Sequence, residues 1–428
     1  MALRRLKRTR IVLASVAATA LVVLLVANLM LGDKVVDRQV ETVYAVSDPQ
    51  FRRSMNVLLG PQLLEGNAVQ TLVNGDQFFP AMLEAVRGAK RTITFETYIY
   101  WSGKVGDQFT EALIERARSG VKVHVLFDAL GSGKIDKAAV ERMKAAGVKI
   151  ERYNPVRIQL LARLNNRTHR KILLVDGRVG FTGGAGIGDE WAGDARNPNE
   201  WRDTHYRIEG PAVAQMQAAF MENWVEVTGE VLHSGEYYPP LGAAGKALAQ
   251  FSVSSPGGGG ESMQVLYLLS IAAAARSIHL SAAYFVPDNN EVRMLVAAAK
   301  RGVRIQLIVP GHETDSPVVR RASRSTWGEL LRAGIEIYEY QPTFYHCKVM
   351  VIDGLWTSVG STNFDTRSFT VNDEANLNVY DADFAAVQLR NFEQDLARSR
   401  RITLEEWQGR PWQEKLWEHT LGMLSSQL

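Results

Sequence analysis

The sequence has very little cysteine and very little net charge, and each shortage excludes a class of protein. A single cysteine, Cys347, excludes an internal disulfide and any zinc cluster built from cysteines. The 428 residues carry a formal net charge of only +3. Proteins that bind nucleic acids usually show a strong excess of basic residues. We therefore expect no nucleic-acid partner.

One long hydrophobic run stands out at the N-terminus. Ile11–Leu31 contains 21 residues and no charge, and a cluster of lysines and arginines precedes it. At about 1.5 Å per helical residue, such a run spans roughly the hydrocarbon core of a bilayer. We favour a single-pass anchor over a cleaved signal peptide, because cutting near Ala18–Ala20 would leave a long apolar stub. The basic flank would stay in the cytoplasm of a cell-membrane protein, which predicts an extracytoplasmic, periplasmic position for the rest of the chain.

The most informative pattern is an H-x-K-x4-D motif that occurs twice, 177 residues apart. The two copies comprise His169, Lys171 and Asp176 in the first half and His346, Lys348 and Asp353 in the second. A phosphodiester resists attack because its own negative charge repels nucleophiles. Two lysines would stabilise its nonbridging oxygens, while one neutral imidazole attacks phosphorus and the other serves the alcohols as acid and base. The repeat predicts one phosphodiester-transfer site built from two halves, without deciding which histidine attacks.

The motif copies lie in two similar series of alternating strands and helices. Arg91–Tyr100 predicts the first strand of one series and Arg276–Val286 that of the other. The alternation predicts an α/β fold with a largely parallel or mixed sheet. A stretch rich in Pro, Gly and Ser at Tyr237–Gly260 indicates a boundary near residue 240. The predicted division is a basic flank and transmembrane anchor at 1–32, a connecting arm at 33–64, a first domain at 65–240, a second domain at 241–402 and an amphipathic helical tail at 403–428.

Each histidine needs an acid to orient its ring, and two carboxylates have suitable positions. Asp203 in the first half and Glu374 in the second each come just before a predicted strand. We expect each acid to serve the histidine of its own half.

The chain resembles the phospholipase D superfamily, and specifically its bacterial cardiolipin synthase branch. The supporting strings, besides the paired motif, are Asn166–Lys171, Phe181–Gly184, Trp201–His205 and Gly360–Ser368. The resemblance implies two α/β sandwich domains related by a pseudo-twofold axis, one shared active site and a phosphohistidine intermediate. It also implies that no metal or cofactor takes part. By analogy with two-domain relatives, His169 would be the nucleophile and His346 the general acid and base.

The two halves depart from one another at the G-S-x-N string of the family. It is intact at Gly360–Asn363, whereas its first-half counterpart, Gly183–Gly186, lacks both serine and asparagine. We expect Ser361 and Asn363 to bind the substrate phosphate through their side chains. Backbone amides of Gly183 and Gly184 would replace them on the first side.

Two segments leave alternatives open. Val156–Arg167 interleaves apolar and basic residues, which suits either contact with anionic lipid or an ordinary connection. The tail carries Trp407, Trp412 and Trp417, which suit either a membrane interface or packing onto the body.

The leading hypothesis is a membrane-anchored phosphatidyltransferase with a phospholipid substrate. It would transfer a phosphatidyl group from one phosphatidylglycerol through His169 to a second, making cardiolipin. The alternatives are a phospholipase D that passes the group to water and, less favoured, a phosphodiesterase acting on nucleic acid.

Overall fold

The structure, a computed structural model, describes residues 38–155, 165–256 and 262–422, together with 10, 12–16, 18, 19 and 36. Most of the predicted anchor, most of Val156–Arg167 and the glycine run at 257–260 lie outside the described residues. Among the residues that are described, no helix combines the length and the apolar character needed to cross a bilayer.

Helices and strands alternate along both halves of the described chain. The helices are α1 (Pro49–Leu58), α2 (Gly75–Gly88), α3 (Lys104–Arg118), α4 (Lys137–Ala145), α5 (Ala212–Thr228), α6 (Ser262–Ala273), α7 (Asn289–Lys300), α8 (Pro317–Arg332), α9 (Thr366–Thr370), α10 (Ala382–Ala397), α11 (Leu404–Gln408) and α12 (Trp412–Gly422). The strands are β1 (Leu64–Val73), β2 (Thr92–Thr97), β3 (Lys122–Asp128), β4 (Lys149–Tyr153), β5 (Lys171–Val175), β6 (Val179–Gly183), β7 (Thr204–Glu209), β8 (Ala247–Ser254), β9 (Ser277–Ala282), β10 (Phe285–Val286), β11 (Arg304–Pro310), β12 (Glu336–Tyr340), β13 (Lys348–Ile352), β14 (Trp356–Gly360), β15 (Phe364–Asp365), β16 (Glu374–Tyr380) and β17 (Ser399–Ile402).

One mixed sheet of 15 strands runs through both halves in the order β17-β12-β11-β9-β13-β14-β16-β8-β1-β7-β6-β5-β2-β3-β4. The neighbours β2, β3 and β4 are parallel, as are β9, β11 and β12. The two halves of the sheet meet at the antiparallel contact of β1 with β8. Going outward from this contact, equivalent strands follow in the same order in each half. The predicted α/β fold with a mixed sheet is therefore confirmed. The sheet is continuous across residue 240, and the domain boundary drawn there stays a prediction.

The motif strands sit in the middle of each half. The apolar runs that predict strands are strands with the predicted bounds, Lys171–Val175 and Lys348–Ile352, and every residue in them is buried. Lys171 pairs with Thr97 and Lys348 with Ala282, the last residues of β2 and β9. We call this side of the sheet, where the parallel strands end, the carboxyl edge. Ligand sites of open α/β sheets lie at such an edge.

One apolar cluster joins the two halves behind the site. It contains Ile172 and Tyr206 from the first half together with Val351 and Leu377 from the second. Interiors of this kind are close-packed and deform little. The shared core therefore holds the two motif strands in a fixed relation.

The tail contains a capping box of Thr403 and Glu406 at the start of α11. Trp407 packs against the second-half core and donates its indole N–H to the carbonyl of Arg324. Trp412 and Trp417 on α12 are 70% and 60% exposed. The packing interpretation thus holds for Trp407, while the other two tryptophans face outward.

Candidate active site

A cavity of about 550 Å³ opens at the carboxyl edge between the two halves. His169, Lys171 and His346 line it, so the structure brings the two motifs together. One part of its remaining wall is aromatic or apolar, formed by Tyr98, Ile99, Trp101, Leu130, Trp191, Trp201 and Tyr284. The other part is mostly polar or charged and includes Lys134, Arg167, Glu190, Asp315, Asp365 and Arg367. Ring centroids of Tyr98 and His169 are 5.2 Å apart, and those of Trp191 and His346 are 5.3 Å apart.

The two acid–histidine pairs cross between the halves. His169 Nδ1 lies 2.9 Å from Glu374 Oε2, and His346 Nδ1 lies 2.6 Å from Asp203 Oδ2. The expectation that each acid serves the histidine of its own half is therefore wrong.

The cause of the crossing is backbone pairing between the halves. The His169 N–H donates to the carbonyl of Asp373 at 2.8 Å, and the His346 N–H donates to the carbonyl of Arg202 at 2.8 Å. Each histidine is thus hydrogen-bonded to the residue that directly precedes the acid of the other half. An ion pair between Arg202 and Asp395 at 2.8 Å holds the second of these contacts in place.

His169 is held as a neutral imidazole. Burial lowers the pKa of His169 to about 4, and the attraction of Glu374 only partly offsets this. Burial alone would raise the pKa of Glu374, but the His169 ring and Lys171 outweigh it and keep that pKa below its usual value. An ionised carboxylate can only accept hydrogen bonds, so His169 Nδ1 carries the proton and Nε2 keeps its lone pair.

His346 is neutral for the same reasons. Burial, reinforced by Lys348, lowers the pKa of His346 to about 3 against the opposing effect of Asp203. The Lys348 Nζ lies 3.2 Å from His346 Nε2 and donates to the carbonyl of His346 at 2.9 Å. A bound phosphodiester anion would raise the pKa of this imidazole, because an opposite charge nearby favours the protonated form.

The two lysines hold positive charge in a buried place. Lys171 donates to the carbonyl of His169 at 2.7 Å, matching the contact made by Lys348. Burial lowers the pKa of Lys171 to about 7, and repulsion from Lys348 adds to this against the attraction of Glu374. An anion placed between the two ammonium groups would relieve both the repulsion and the loss of hydration. The arrangement is therefore suited to a phosphodiester.

Each acid has a second support, and the two supports differ. The Ser361 hydroxyl donates to Glu374 Oε2 at 2.5 Å, while the Trp191 indole N–H donates to Asp203 Oδ2 at 3.0 Å. A Cβ atom on Gly184, which occupies the position of Ser361 in the first half, would lie 2.3 Å from Asp203 Oδ1. The missing serine thus reflects the space that Asp203 takes. Trp191 carries no sequence signal, and only the structure reveals its part.

The structure separates the predicted phosphate-binding residues into one that lines the cavity and three that do not. Asn363 lines the cavity. Ser361, Gly183 and Gly184 are buried beside the acids and do not appear in its wall. The Gly184 N–H donates to the carbonyl of Thr204 at 3.2 Å, so it is used within the fold. Within the fold Ser361 and Gly184 lie against the two carboxylates, and phosphate binding by Ser361, Gly183 and Gly184 stays a prediction.

The motif aspartates lie away from the cavity, at the opposite edge of the sheet. The Asp176 carboxylate accepts the backbone N–H groups of Lys90, Arg91 and Thr92. The Asp353 carboxylate accepts those of Ala275, Arg276 and Ser277. Both aspartates have a positive φ, 53° and 54°, in the turn after their strand. The prediction that both aspartates belong with the catalytic residues is therefore corrected. Each carboxylate connects the turn after a motif strand to the start of the neighbouring strand.

Because of this placement, substitution of either motif aspartate should lower the stability of the fold without lowering the catalytic rate. Asp353→Ala should lower the free energy of unfolding by about 2–4 kcal/mol, because three backbone N–H groups lose their acceptor. Asp176→Ala should lower it less, since the Lys90 and Arg91 amides can bond to water. Denaturant unfolding measures the change, and kcat of the folded fraction should stay at the wild-type value. A folded variant with a large drop in kcat would contradict this role.

Comparisons with known proteins bear on the site as a whole. The profile of the family described as "Cardiolipin synthase, PLD-like domain" matches residues 82–224 and 267–396. A cardiolipin synthase of Geobacillus kaustophilus (strain HTA426) is 38% identical over 357 residues, covering 83% of this chain and 71% of that protein. Cardiolipin synthase 2 of Bacillus anthracis is 37% identical over 359 residues, covering 83% and 70%.

The fold also occurs in solved structures of low sequence identity. A phosphatidylserine synthase of Haemophilus influenzae Rd KW20 superposes with a TM-score of 0.68 at 13% identity, over 89% of this chain and 100% of that one. A polyphosphate kinase of Porphyromonas gingivalis gives a TM-score of 0.54 at 15% identity, over 91% and 57%. At these identities the likeness concerns the fold alone.

Proposed function

Because the chain belongs to the phospholipase D-like family of cardiolipin synthases, we propose that it converts two phosphatidylglycerol molecules into cardiolipin and glycerol. The chain is a phosphatidyltransferase of the phospholipase D superfamily. We further propose that Ile11–Leu31 anchors it in the cell membrane, with both halves on the extracytoplasmic side. The observation that carries the proposal is the pair of crossed acid–histidine contacts facing one cavity that also holds a lysine of the motif.

In the first step the His169 Nε2 lone pair attacks the phosphorus of the donor lipid. A P–N bond forms and the P–O bond to the glycerol headgroup breaks. His346, which takes up a proton from solvent as the phosphodiester anion binds, gives that proton to the departing oxygen. Glu374 stabilises the positive charge that His169 acquires, and the two lysines stabilise the nonbridging oxygens. The products of this step are free glycerol and a phosphatidyl group on His169.

In the second step a hydroxyl of another phosphatidylglycerol replaces the glycerol. His346, now neutral, takes the hydroxyl proton while a new P–O bond forms and the P–N bond breaks. His169 returns to its neutral state, and His346 holds the proton of the acceptor alcohol until the product leaves, when it returns to the neutral form of the free enzyme. The aromatic and apolar part of the cavity wall supports a lipid alcohol as acceptor, because apolar surface favours contact with a lipid over contact with water.

The test is incubation of the full-length protein in detergent with labelled phosphatidylglycerol, with and without EDTA. Cardiolipin and glycerol in equal amounts, with no effect of EDTA, are expected. Phosphatidic acid without cardiolipin would favour the phospholipase D alternative. Absence of any lipid turnover would contradict both.

The charge state of Lys171 predicts the pH dependence. Because its pKa is lowered to about 7, the free enzyme should lose this cation as pH rises above 7, and kcat/KM should fall. A bound phosphodiester raises the pKa of the lysine, so kcat should fall only at higher pH. His346 must also be protonated to act and has a free-enzyme pKa of about 3, so it contributes a shallower fall of kcat/KM over the whole range. Lys171→Arg keeps its charge and should remove only the steepening of that fall above about pH 7, whatever its absolute rate. Profiles of kcat/KM and kcat from about pH 5.5 to about pH 9.5 measure this, and a wild-type kcat/KM that rises to the alkaline end would contradict it.

A further inference from the structure

The connecting arm meets the described fold at the carboxyl edge, where the cavity opens. The Val36 N–H donates to Gln264 Oε1 at 2.8 Å, and its carbonyl accepts from Asn290 Nδ2 at 2.6 Å. Gln264 and Asn290 lie in the first turns of α6 and α7. Both first turns lie at this edge, because α6 leads into the start of β9 and α7 follows the end of that strand. The arm then runs along α6 to the other edge, where the Val46 N–H donates to the carbonyl of Ala273 at 2.9 Å.

The chain before Val36 is too short to reach the opposite edge. Four residues separate Leu31, the end of the apolar run, from Val36. At 3.3–3.6 Å per residue, these five steps span at most about 18 Å. The strand Arg304–Pro310 has seven residues and is about 23 Å long at 3.3 Å each. The chain between Leu31 and Val36 is thus too short to span the length of that strand.

Two exposed apolar side chains flank the cavity on this edge. Leu130 follows β3 in the first half, lines the cavity and is 54% exposed. Val318 lies in the first turn of α8 in the second half, close in sequence to Asp315 of the cavity wall, and is 41% exposed. Single exposed apolar residues are ordinary on protein surfaces. Their position beside the cavity, on the edge that the connecting arm joins at Val36, is what makes them informative.

We propose that the carboxyl edge docks on the surface of a phospholipid bilayer. Leu130 and Val318 enter the headgroup region on either side of the cavity, which thus opens toward the membrane. Lipid substrates then reach His169 and His346 directly from the bilayer, without crossing water. This inference rests on the proposed anchor and adds the orientation of the catalytic fold, which the anchor alone does not determine.

Fluorescent labelling in vesicles tests this orientation. Cys347 is only 1% exposed, so a thiol label can be directed to introduced cysteines, with the unsubstituted protein as the blank. Leu130→Cys and Val318→Cys report on the carboxyl edge. Val231→Cys is the matched control, because Val231 is 58% exposed and follows Glu230, which pairs with Lys149 at the opposite edge.

Each full-length variant is labelled with bimane and reconstituted into vesicles of phosphatidylglycerol and phosphatidylcholine that contain spin-labelled lipid. Labels at 130 and 318 should be quenched at least about threefold more than the label at 231, since a docked side chain enters the headgroup region by 5–10 Å. Equal quenching at the three positions, or the strongest quenching at 231, would overturn the proposal. Cardiolipin formation in the same vesicles is scored separately, so a failure of the transferase assignment is distinguishable from a failure of docking.

Discussion

Replacing His169 by alanine should abolish lipid transfer, with a fall in kcat of about 10⁴-fold or more, because in the proposed mechanism His169 forms the covalent intermediate. Burial keeps the imidazole neutral, with its pKa lowered to about 4. The contact with Glu374 leaves Nε2 as the attacking atom. His346→Ala should also stop transfer from phosphatidylglycerol, since glycerol is a poor leaving group without a proton.

A donor with a good leaving group separates the two histidines. With a phosphatidyl ester of p-nitrophenol, departure needs no proton, so His346→Ala should still release one equivalent of nitrophenolate and retain a labelled phosphoryl group. His169→Ala should release none and retain no label. Stopped-flow absorbance and acid-labile, alkali-stable protein labelling provide the readouts. A burst in His169→Ala and none in His346→Ala would reverse the two roles.

The crossed contacts predict which acid serves which step. Glu374→Gln should act like loss of His169 and remove the nitrophenolate burst, whereas Asp203→Asn should keep the burst and lose turnover. Each variant should lower kcat for phosphatidylglycerol by about 10²- to 10⁴-fold, the range seen when the acid that orients a catalytic histidine is neutralised. Pairing within each half would give the opposite pattern.

A matched control distinguishes this effect from general damage to the fold. Asp381→Asn changes a carboxylate that caps α10 by accepting the Phe384 N–H. Asparagine caps helices as well as aspartate does, so both burst and turnover should stay normal. Trp191→Phe removes one donor to Asp203 and should produce the Asp203→Asn pattern in a milder form. Loss of the burst in Trp191→Phe would show that the indole acts on His169 instead.

Local parts of the fold could be predicted because short-range patterns determine them. The runs at Lys171–Val175 and Lys348–Ile352 are apolar, and each ends in an Asp-Gly turn, so their bounds follow from the chain alone. The repeat of the motif likewise predicts a shared site. The first half of that site was harder to predict, because Gly184 and Trp191 acquire their roles only through Asp203, with which they have no regular spacing.

The motif aspartates are a second case in which the sequence pattern did not predict the structural role. Their fixed spacing to histidine and lysine favours a shared chemical role, yet the spacing spans a whole buried strand. Five strand residues carry the chain about 17 Å, at 3.3–3.4 Å each, so Asp176 and Asp353 emerge at the far edge of the sheet. They bond to backbone amides there.

The sequence by itself determined the chemistry: two histidines and two lysines in a repeated motif, the strands that carry them, and the kinship with phospholipase D-like enzymes. Tertiary structure alone decided which acid meets which histidine, what supports each acid, and on which edge of the sheet the connecting arm enters. The physical reason is distance along the chain. A strand or a turn is determined by neighbouring residues, whereas the contact of His169 with Glu374 joins residues 205 positions apart and exists only once the two halves pair their backbones and share one core.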